Sequence, residues 1–154
     1  MNKNKSFLKS LKYAVCGLIT PFGEERNLRV HFSIANLIII FAYFFGITSF
    51  EWAILFLAIG LVIVCELINT AVENAVDTAS TEICETAKLA KDTAAGAVLF
   101  SAIIAVMTGF CLFFDTQKIT DTLEYIFTTP KVLIPCLLVG IFDVLFIIFG
   151  GKKH

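Results

Sequence analysis

The sequence predicts an all-α integral membrane protein, and two observations carry this prediction. Hydrophobic residues make up 58% of the 154 residues and include 16 phenylalanines, whereas only 16% are charged, which gives a mean hydropathy of +0.86. A soluble domain of this length needs more charge to cover its surface. The apolar residues also lie in four long blocks, each about the length that a helix needs to cross a hydrocarbon core of about 30 Å.

The first predicted element is an amphipathic surface helix over residues 5–20. Apolar side chains such as Phe7 and Leu11 recur at helical spacing, while the lysines of this segment lie toward the other side. This pattern is typical of a helix that lies in the headgroup plane with its apolar face toward the lipid. Pro21 and Gly23 are expected to end the helix.

Four transmembrane helices are predicted to follow the surface helix and to form a bundle. The spans cover residues 31–47, 52–79, 93–114 and 131–149. A polar loop is expected at 115–130, between the third span and the fourth. We therefore divide the chain into a membrane domain over residues 1–115 and an additional segment over residues 116–154, which holds the polar loop and the extra span.

The distribution of lysine and arginine predicts the orientation in the membrane. These residues concentrate before the first span, in the loop between spans two and three, and in the tail, whereas the turn at 48–51 has none and the 115–130 loop has one. Because short cytoplasmic loops carry an excess of lysine and arginine, both termini are expected to be cytoplasmic. The predicted location is the bacterial inner membrane, with multiple passes.

Charge and cysteine content exclude several other classes of protein. The net charge of −1 gives no basic excess, so no nucleic-acid partner is expected. The five cysteines are scattered without a C-x-x-C pair, which argues against a cysteine metal cluster and against a disulfide framework. No G-x-x-x-x-G-K-[ST] segment occurs, so a nucleotide site in this chain would not be a P-loop.

The most informative segment is an acidic stripe at the end of the second span, defined by Glu66, Asn69, Glu73 and Asp77. At about 100° per residue these positions fall within an arc of about 80° on one helix face. Glu66 and Glu73 differ in height by about 10.5 Å, so Glu66 is expected deeper and Glu73 nearer the cytoplasm. Carboxylates within a membrane span are energetically costly, and by default they mark function.

Two further polar segments lie at the starts of spans one and three, on the same side of the membrane. They are E-E-R-N-L-R-V-H over residues 24–31 and A-K-L-A-K-D over residues 87–92. Together the three groups can bring carboxylates, an amide and a cation to one depth. Phosphoryl transfer uses such parts, with carboxylates for a divalent ion, a cation for the phosphates and a base for the accepting hydroxyl. The alternative is that the acids only pair with basic residues of neighbouring helices and hold the bundle together.

The three segments carry a resemblance to a known family. E-L-I-N-T-A-V-E-N-A-V-D, A-K-D-T-A-A-G-A-V and the upstream E-E-R-N-L-R-V-H resemble the motifs of the prokaryotic diacylglycerol kinase and undecaprenol kinase family, over roughly residues 5–115. The resemblance implies a small homotrimer of three-span subunits with a surface helix, with active sites shared between subunits. It also implies that Mg²⁺ and ATP, as co-substrate, serve to phosphorylate a membrane lipid alcohol in the bilayer.

The resemblance further implies roles for individual residues. Glu66 would be the general base that takes the proton of the lipid hydroxyl, and Glu25 and Glu73 would hold the Mg²⁺ that bridges the ATP phosphates. The phosphate chain would be positioned by Asn69, Asp77 and Lys91. The nucleotide would be held by Tyr13, Glu82 and Asp92. The chain departs from the family pattern at Ile83 and Cys84, where members often carry an aromatic residue and a histidine.

The motif details favour undecaprenol as the lipid. E-E-R-N, L-I-N-T-A and A-K-D-T-A-A-G-A-V resemble the undecaprenol kinase branch, whereas the diacylglycerol branch more often shows E-x-A-F-R, L-N-S-A and A-K-D-M-G-S-A. The expected product is therefore undecaprenyl phosphate, with phosphatidic acid from diacylglycerol as the second candidate.

Two questions stay open at the level of sequence. A small transporter or assembly subunit would also carry acids within the membrane, to move protons or to pair helices, and it would need no nucleotide. Asp143, near the middle of the fourth span, is expected to form an interhelical hydrogen bond, with a proton-linked role as the other reading. We assign no catalytic role to Asp143.

Overall fold

The computed structural model describes residues 3–79 and 84–151, with side chains from residue 7 onward. This part of the chain forms six helices and contains no strand. The helices are α1 (Lys3–Glu24), α2 (Arg26–Phe45), α3 (Ser49–Ala79), α4 (Glu85–Leu112), α5 (Thr116–Thr128) and α6 (Pro130–Phe149). The predicted all-α class is therefore confirmed.

Helices α2, α3, α4 and α6 are each long and apolar enough to cross a membrane. Their large apolar side chains point mostly outward, as Phe50, Leu57 and Phe110 show with exposed fractions of 75%, 74% and 71%. Such exposure is costly in water and favourable in lipid. The chain is therefore a multi-pass membrane protein. The four predicted spans correspond to these helices, although α2 and α4 begin earlier than predicted, at Arg26 and Glu85.

The prediction that α1 ends at Pro21 is wrong. The helix continues through Pro21 to Glu24, and the backbone N–H of Glu25 donates to the carbonyl of Pro21 at 2.7 Å. Proline removes one backbone donor, but its fixed φ is compatible with helical geometry, so a helix can continue past it at some cost. The chain instead leaves the helix at Glu25, whose φ of −99° and ψ of 116° are extended.

The predicted polar loop at 115–130 is also wrong, because residues Thr116–Thr128 form α5. Asp115 caps this helix by accepting a hydrogen bond from the backbone N–H of Lys118 at 3.0 Å. Ile119, Leu123 and Ile126 follow a helical spacing within the polar segment. The high polarity of the segment concealed this spacing.

Helix α2 is the centre of the packing. It contacts α1, α3, α5 and α6, while α3 packs along α4 in the most extensive helix pair. The amino-terminal end of α2, the carboxyl-terminal end of α3 and the start of α4 therefore lie at one end of the bundle, which we call the acidic end. The other end holds the α2–α3 turn.

The α2–α3 turn is built from residues suited to reverse the chain. Gly46 ends α2 with a φ of +69°, a left-handed conformation that favours glycine. Thr48 and Glu51 then form a capping box: the Glu51 carboxylate accepts from the Thr48 backbone N–H at 2.6 Å, and the Glu51 N–H donates to Thr48 Oγ1 at 3.3 Å. This turn fixes the relative height of α2 and α3, and hence of the residues at the acidic end.

An aromatic cluster joins α2 to α4 near the turn. The ring of Phe113 lies 5.3 Å from that of Phe41 and 5.2 Å from that of Phe45, both in edge-to-face geometry. Lys118 of α5 lies above the Phe45 ring, with Nζ 4.3 Å from its centroid. These contacts close the space between α2 and α4 at the end opposite the acidic end.

Helix α6 packs on α2 through a polar pair inside the membrane. Asn36 Nδ2 donates to Asp143 Oδ1 at 3.1 Å, and only 2% of Asp143 is exposed. Phe146 packs against Phe32 with ring centroids 6.4 Å apart, and the Arg29 side chain lies beside Gly151 at the end of α6. The interhelical hydrogen bond expected for Asp143 is present.

Replacing Asp143 by alanine is expected to lower the free energy of unfolding by about 0.5–2 kcal/mol, because Asn36 then lacks its partner within lipid. Thermal unfolding in detergent measures the change. Asp143→Asn serves as the matched variant, since its amide oxygen can still accept from Asn36, and it should unfold near the wild-type temperature. Equal stability of Asp143→Ala and wild type would show that the pair contributes nothing.

Both ends of the chain are predicted to face the cytoplasm, with α5 outside. In a background with the five native cysteines replaced by alanine, a membrane-impermeant maleimide should label Asp121→Cys on intact cells. It should label Lys88→Cys only after permeabilisation. Labelling of Lys88→Cys on intact cells, with Asp121→Cys protected, would reverse the orientation.

Candidate active site

The acidic end of the bundle holds a pair formed by buried Glu66 of α3 and partly exposed His31 of α2. Glu66 Oε1 lies 3.2 Å from His31 Nε2, and the Glu66 side chain is only 4% exposed compared with 26% for His31. A carboxylate buried to this extent needs a charged or hydrogen-bonding partner. His31 provides that partner from the neighbouring helix.

Asn69 and Glu73 continue the acidic stripe toward the end of α3. Asn69 Nδ2 donates to Glu73 Oε1 at 2.8 Å, one helical turn apart. The Asn69 carbonyl oxygen Oδ1 is buried and has no hydrogen-bond partner within the described residues. The stripe grades from buried Glu66 through half-buried Glu73 to exposed Asp77, in the order that the sequence predicted.

Glu25 joins the site from the turn between α1 and α2. Burial raises the pKa of Glu25 above its ordinary value, and the negative charges of Glu73 and then Glu24 raise it further. The Glu25 carboxylate, in the turn before α2, therefore lies near enough to the Glu73 carboxylate of α3 for the two negative charges to repel each other. A cation between two such groups would relieve the repulsion.

Asp77 and Lys91 form an ion pair across the α3–α4 connection. The Asp77 side chain is 66% exposed and that of Lys91 is 35% exposed. An ion pair with this exposure contributes little to stability. Its main effect is to hold the Lys91 ammonium beside the acidic stripe.

The remaining predicted nucleotide residues lie apart from this cluster. Tyr13 is exposed on α1, where the Lys9 ammonium lies 5.9 Å from the centroid of its ring. Asp92 is exposed on α4. Glu82 lies outside the described residues.

An apolar groove of about 660 Å³ runs between α2, α3 and α4. Among the described residues that line it, His31 is the only one with a polar side chain. The groove extends from His31 to Phe41, Phe113 and Ile119 near the opposite end of the bundle. It thus offers apolar walls along its length and an imidazole at the acidic end.

Comparison with known proteins assigns the chain to a family. Residues 12–113 match the family model described as prokaryotic diacylglycerol kinase. The chain belongs to the prokaryotic diacylglycerol kinase family. The predicted family is confirmed, and with it the enzyme class, because its named relatives are lipid kinases.

Three relatives illustrate the range of this family. A diacylglycerol kinase of Synechocystis is 42% identical over 108 residues, which cover 70% of this chain and 62% of that protein. The undecaprenol kinase of Bacillus subtilis is 37% identical over 112 residues, covering 73% of this chain and 91% of that protein. A diacylglycerol kinase of Haemophilus influenzae is 33% identical over 108 residues, covering 70% and 92%. No solved structure matches the chain significantly.

The magnesium ion implied by the prokaryotic diacylglycerol kinase family fits the residues present. No group of three or more His, Cys, Asp or Glu side chains suited to a metal occurs in the described part of the chain. Mg²⁺, however, is commonly held by one or two carboxylates together with substrate phosphates and waters. The mutually repelling Glu25 and Glu73 carboxylates suit such a site, and the Asn69 side chain, whose oxygen has no partner among the described residues, contacts Glu73.

Sequence reasoning missed His31 as a residue of this site. It stands in the first family motif, but no role was assigned to it, and the other basic residues of that motif were equally eligible partners for Glu66. One signal was available: among the two histidines of the chain, His31 alone falls inside a predicted span. A titratable side chain at that depth marks function by default.

Proposed function

We propose that this protein transfers the γ-phosphate of ATP to the hydroxyl of a membrane lipid alcohol, undecaprenol. The observation that carries the proposal is the contact of buried Glu66 with His31 at the polar end of the apolar groove, within the segment that matches the family. A lipid chain in the groove would bring its hydroxyl to the only polar side chain among the described lining residues. Glu66, which His31 contacts, would then act as the base for that hydroxyl.

The carboxylates of Glu25 and Glu73 would hold Mg²⁺. When bound, the ion would neutralise charge on the ATP phosphates and orient them for in-line attack. Asn69 and Lys91 would position the phosphate chain, with Asp77 holding the Lys91 ammonium in place.

In the proposed reaction the lipid oxygen forms a bond to the γ-phosphorus as the bond between that phosphorus and the ADP oxygen breaks. The hydroxyl proton passes to Glu66, and ADP leaves. Tyr13, Glu82 and Asp92 would contact the nucleotide. The homotrimer comes from the family resemblance, and in it the nucleotide sites that include Tyr13 and Asp92, both exposed in a single chain, would be completed by neighbouring subunits.

Undecaprenol is favoured over diacylglycerol by the three motifs, and an undecaprenol kinase is among the relatives of the chain, at 37% identity. Diacylglycerol is the second candidate, since the Synechocystis relative named diacylglycerol kinase is 42% identical. Purified protein in mixed micelles with equal mole fractions of the two lipids, offered separately, tests the choice. We expect faster label transfer from γ-labelled ATP to undecaprenol, and faster transfer to diacylglycerol would reverse the assignment.

A transporter or assembly subunit makes a different prediction. Such a protein has no need of nucleotide, whereas the proposed kinase should bind ATP with Mg²⁺ at the acidic end. ATP with Mg²⁺, but not ATP with a chelator, should therefore raise the thermal unfolding temperature of the purified protein. Equal unfolding temperatures under the two conditions would favour the non-enzymatic alternative.

A further inference from the structure

Three helices meet near Glu25 in a group of aromatic rings that we call the junction cluster, formed by Phe22 of α1, Phe32 of α2 and Phe146 of α6. The rings of Phe22 and Phe32 lie edge to face with centroids 5.4 Å apart, and the Phe146 ring lies 6.4 Å from each of them. Aromatic rings at such separations attract each other. The junction cluster therefore joins the end of α6 to the last turn of α1, just before Glu25.

Arg29 makes a second link between the same three helices. Its Nη1 donates to the carbonyl of Phe22 at 2.8 Å, and only 6% of the residue is exposed. The carbonyl oxygens in the last turn of a helix lack partners within the helix, so a cation there is favourable. The end of α6 lies directly against this side chain, since a Cβ atom at Gly151 would come within 3.0 Å of Arg29 Nη2. Glycine lets the backbone approach Arg29 this closely.

The position of the Glu25 carboxylate depends on the last turn of α1. Glu25 has extended backbone geometry between α1 and α2, and its N–H donates to the Pro21 carbonyl at 2.7 Å. Glu73, by contrast, lies within the long helix α3. The separation of the two carboxylates therefore depends on how firmly the end of α1 is held against α2 and α6.

We infer that Phe146 of α6 is a positioning residue for Glu25, because it holds the end of α1 through Phe22 and so keeps the Glu25 carboxylate near that of Glu73. This inference rests on the proposed function, in which the two carboxylates hold Mg²⁺. It gives a role to α6, which lies beyond the segment that matches the family, residues 12–113. Phe146 acts through Phe22 and the α1–α2 turn rather than by contact with the metal.

Hydrogen exchange without nucleotide or metal tests the positioning directly. Phe146→Ala removes one ring of the junction cluster, so the α1–α2 turn should open more often. The Glu25 amide should then exchange about threefold faster than in wild type, or more. Mass spectrometry of the peptide that contains Glu25 measures the rate, and the peptide that contains Gly46, in the α2–α3 turn, should be unchanged. Phe146→Leu, which keeps most of the apolar volume, makes the same test where the alanine variant does not fold.

Two other variants of α6 separate positioning from a general weakening of its packing. Phe149→Ala removes a ring of the same size that is 71% exposed, and its Glu25 amide should exchange at the wild-type rate. Asp143→Ala removes the hydrogen bond to Asn36 and leaves the junction cluster intact. It should also leave the exchange of the Glu25 amide unchanged.

The response to Mg²⁺ links the turn to the metal site. Residues that orient metal ligands typically contribute 10–100-fold to metal affinity, so Phe146→Ala should need about tenfold more Mg²⁺ for half-maximal label transfer to lipid. Its kcat at saturating Mg²⁺ should stay near the wild-type value, because Glu66 is untouched. Phe149→Ala should keep the wild-type requirement for Mg²⁺.

Three results would overturn the inference: wild-type exchange of the Glu25 amide in Phe146→Ala, equally fast exchange in Asp143→Ala, or an unchanged Mg²⁺ requirement in Phe146→Ala. Failure of the proposed function is a separate result. A wild-type protein that transfers no label to either lipid would overturn that function, and the positioning of a metal ligand with it. The exchange rates would still report whether Phe146 holds the α1–α2 turn.

Discussion

Replacing Glu66 by glutamine is expected to reduce kcat by about 10²–10⁴-fold, the usual contribution of a general base. Glutamine has the same shape, so the packing of α3 against α2 should be retained. It lacks the negative charge, however, so it cannot take the proton of the lipid hydroxyl. Label transfer from γ-labelled ATP to undecaprenol in mixed micelles measures the loss.

Glu124→Gln is the matched control for this change. It removes one carboxylate of the same length from an exposed position on α5, at the end of the bundle opposite the site, and should leave kcat unchanged. Thermal unfolding of both variants distinguishes lost catalysis from lost folding. A folded Glu66→Gln protein that turns over at the wild-type rate would remove Glu66 from the mechanism.

Replacing Glu73 by glutamine should nearly abolish turnover at ordinary Mg²⁺ concentrations. The metal is expected to contribute several kcal/mol to the transition state, and each 1.36 kcal/mol corresponds to about a tenfold change in rate. Loss of one of its two proposed protein carboxylates should therefore cost about 10²-fold or more. Because Glu73→Gln weakens Mg²⁺ binding and leaves the base in place, a raised Mg²⁺ concentration should restore part of its activity. The same increase should not restore the activity of Glu66→Gln.

Glu85→Gln controls for the removal of a carboxylate near the same end of the bundle, since Glu85 is exposed in the first turn of α4. Activity is measured over a Mg²⁺ titration for the three proteins, together with their oligomeric state in detergent. Wild-type activity of Glu73→Gln at ordinary Mg²⁺ would end the assignment of Glu73 as a metal ligand.

The sequence predicted the spans well because the bilayer imposes a simple rule on them. A helix that crosses lipid must be apolar over a fixed length, so the composition of each block decides its structure. The ends of the helices follow weaker signals. Pro21 does not end α1. The polar segment after Asp115 forms α5, because the Asp115 cap and a short apolar spacing outweighed its turn-like composition.

The candidate site could be predicted only in part, for a different physical reason. Glu66, Asn69 and Glu73 lie on one helix, so helical geometry alone relates them. The partner of Glu66 lies on another helix, and its identity depends on the relative height of α2 and α3, which the turn at Gly46 and Thr48 sets. No periodicity in the sequence encodes that height, so the contact with His31 was not foreseen.

The pairing of Asp143 illustrates the same limit. An unpaired carboxyl group is energetically costly within lipid, which predicted an interhelical hydrogen bond for Asp143, and that bond is present. The choice of Asn36 as the partner follows from how α6 packs on α2, in a part of the chain beyond the family match at residue 113.

Transfer of the terminal phosphate to lipid tests the central claim most directly. Purified protein in micelles of undecaprenol is given Mg²⁺ with ATP labelled either at the γ-phosphate or at the α-phosphate, and the lipid phase is extracted and counted. The proposed function predicts label in undecaprenyl phosphate from the γ-labelled nucleotide, none from the α-labelled one, and none with γ-label when a chelator removes the Mg²⁺. Absence of γ-label from the lipid phase with both undecaprenol and diacylglycerol, in protein that is folded and supplied with Mg²⁺, would contradict it.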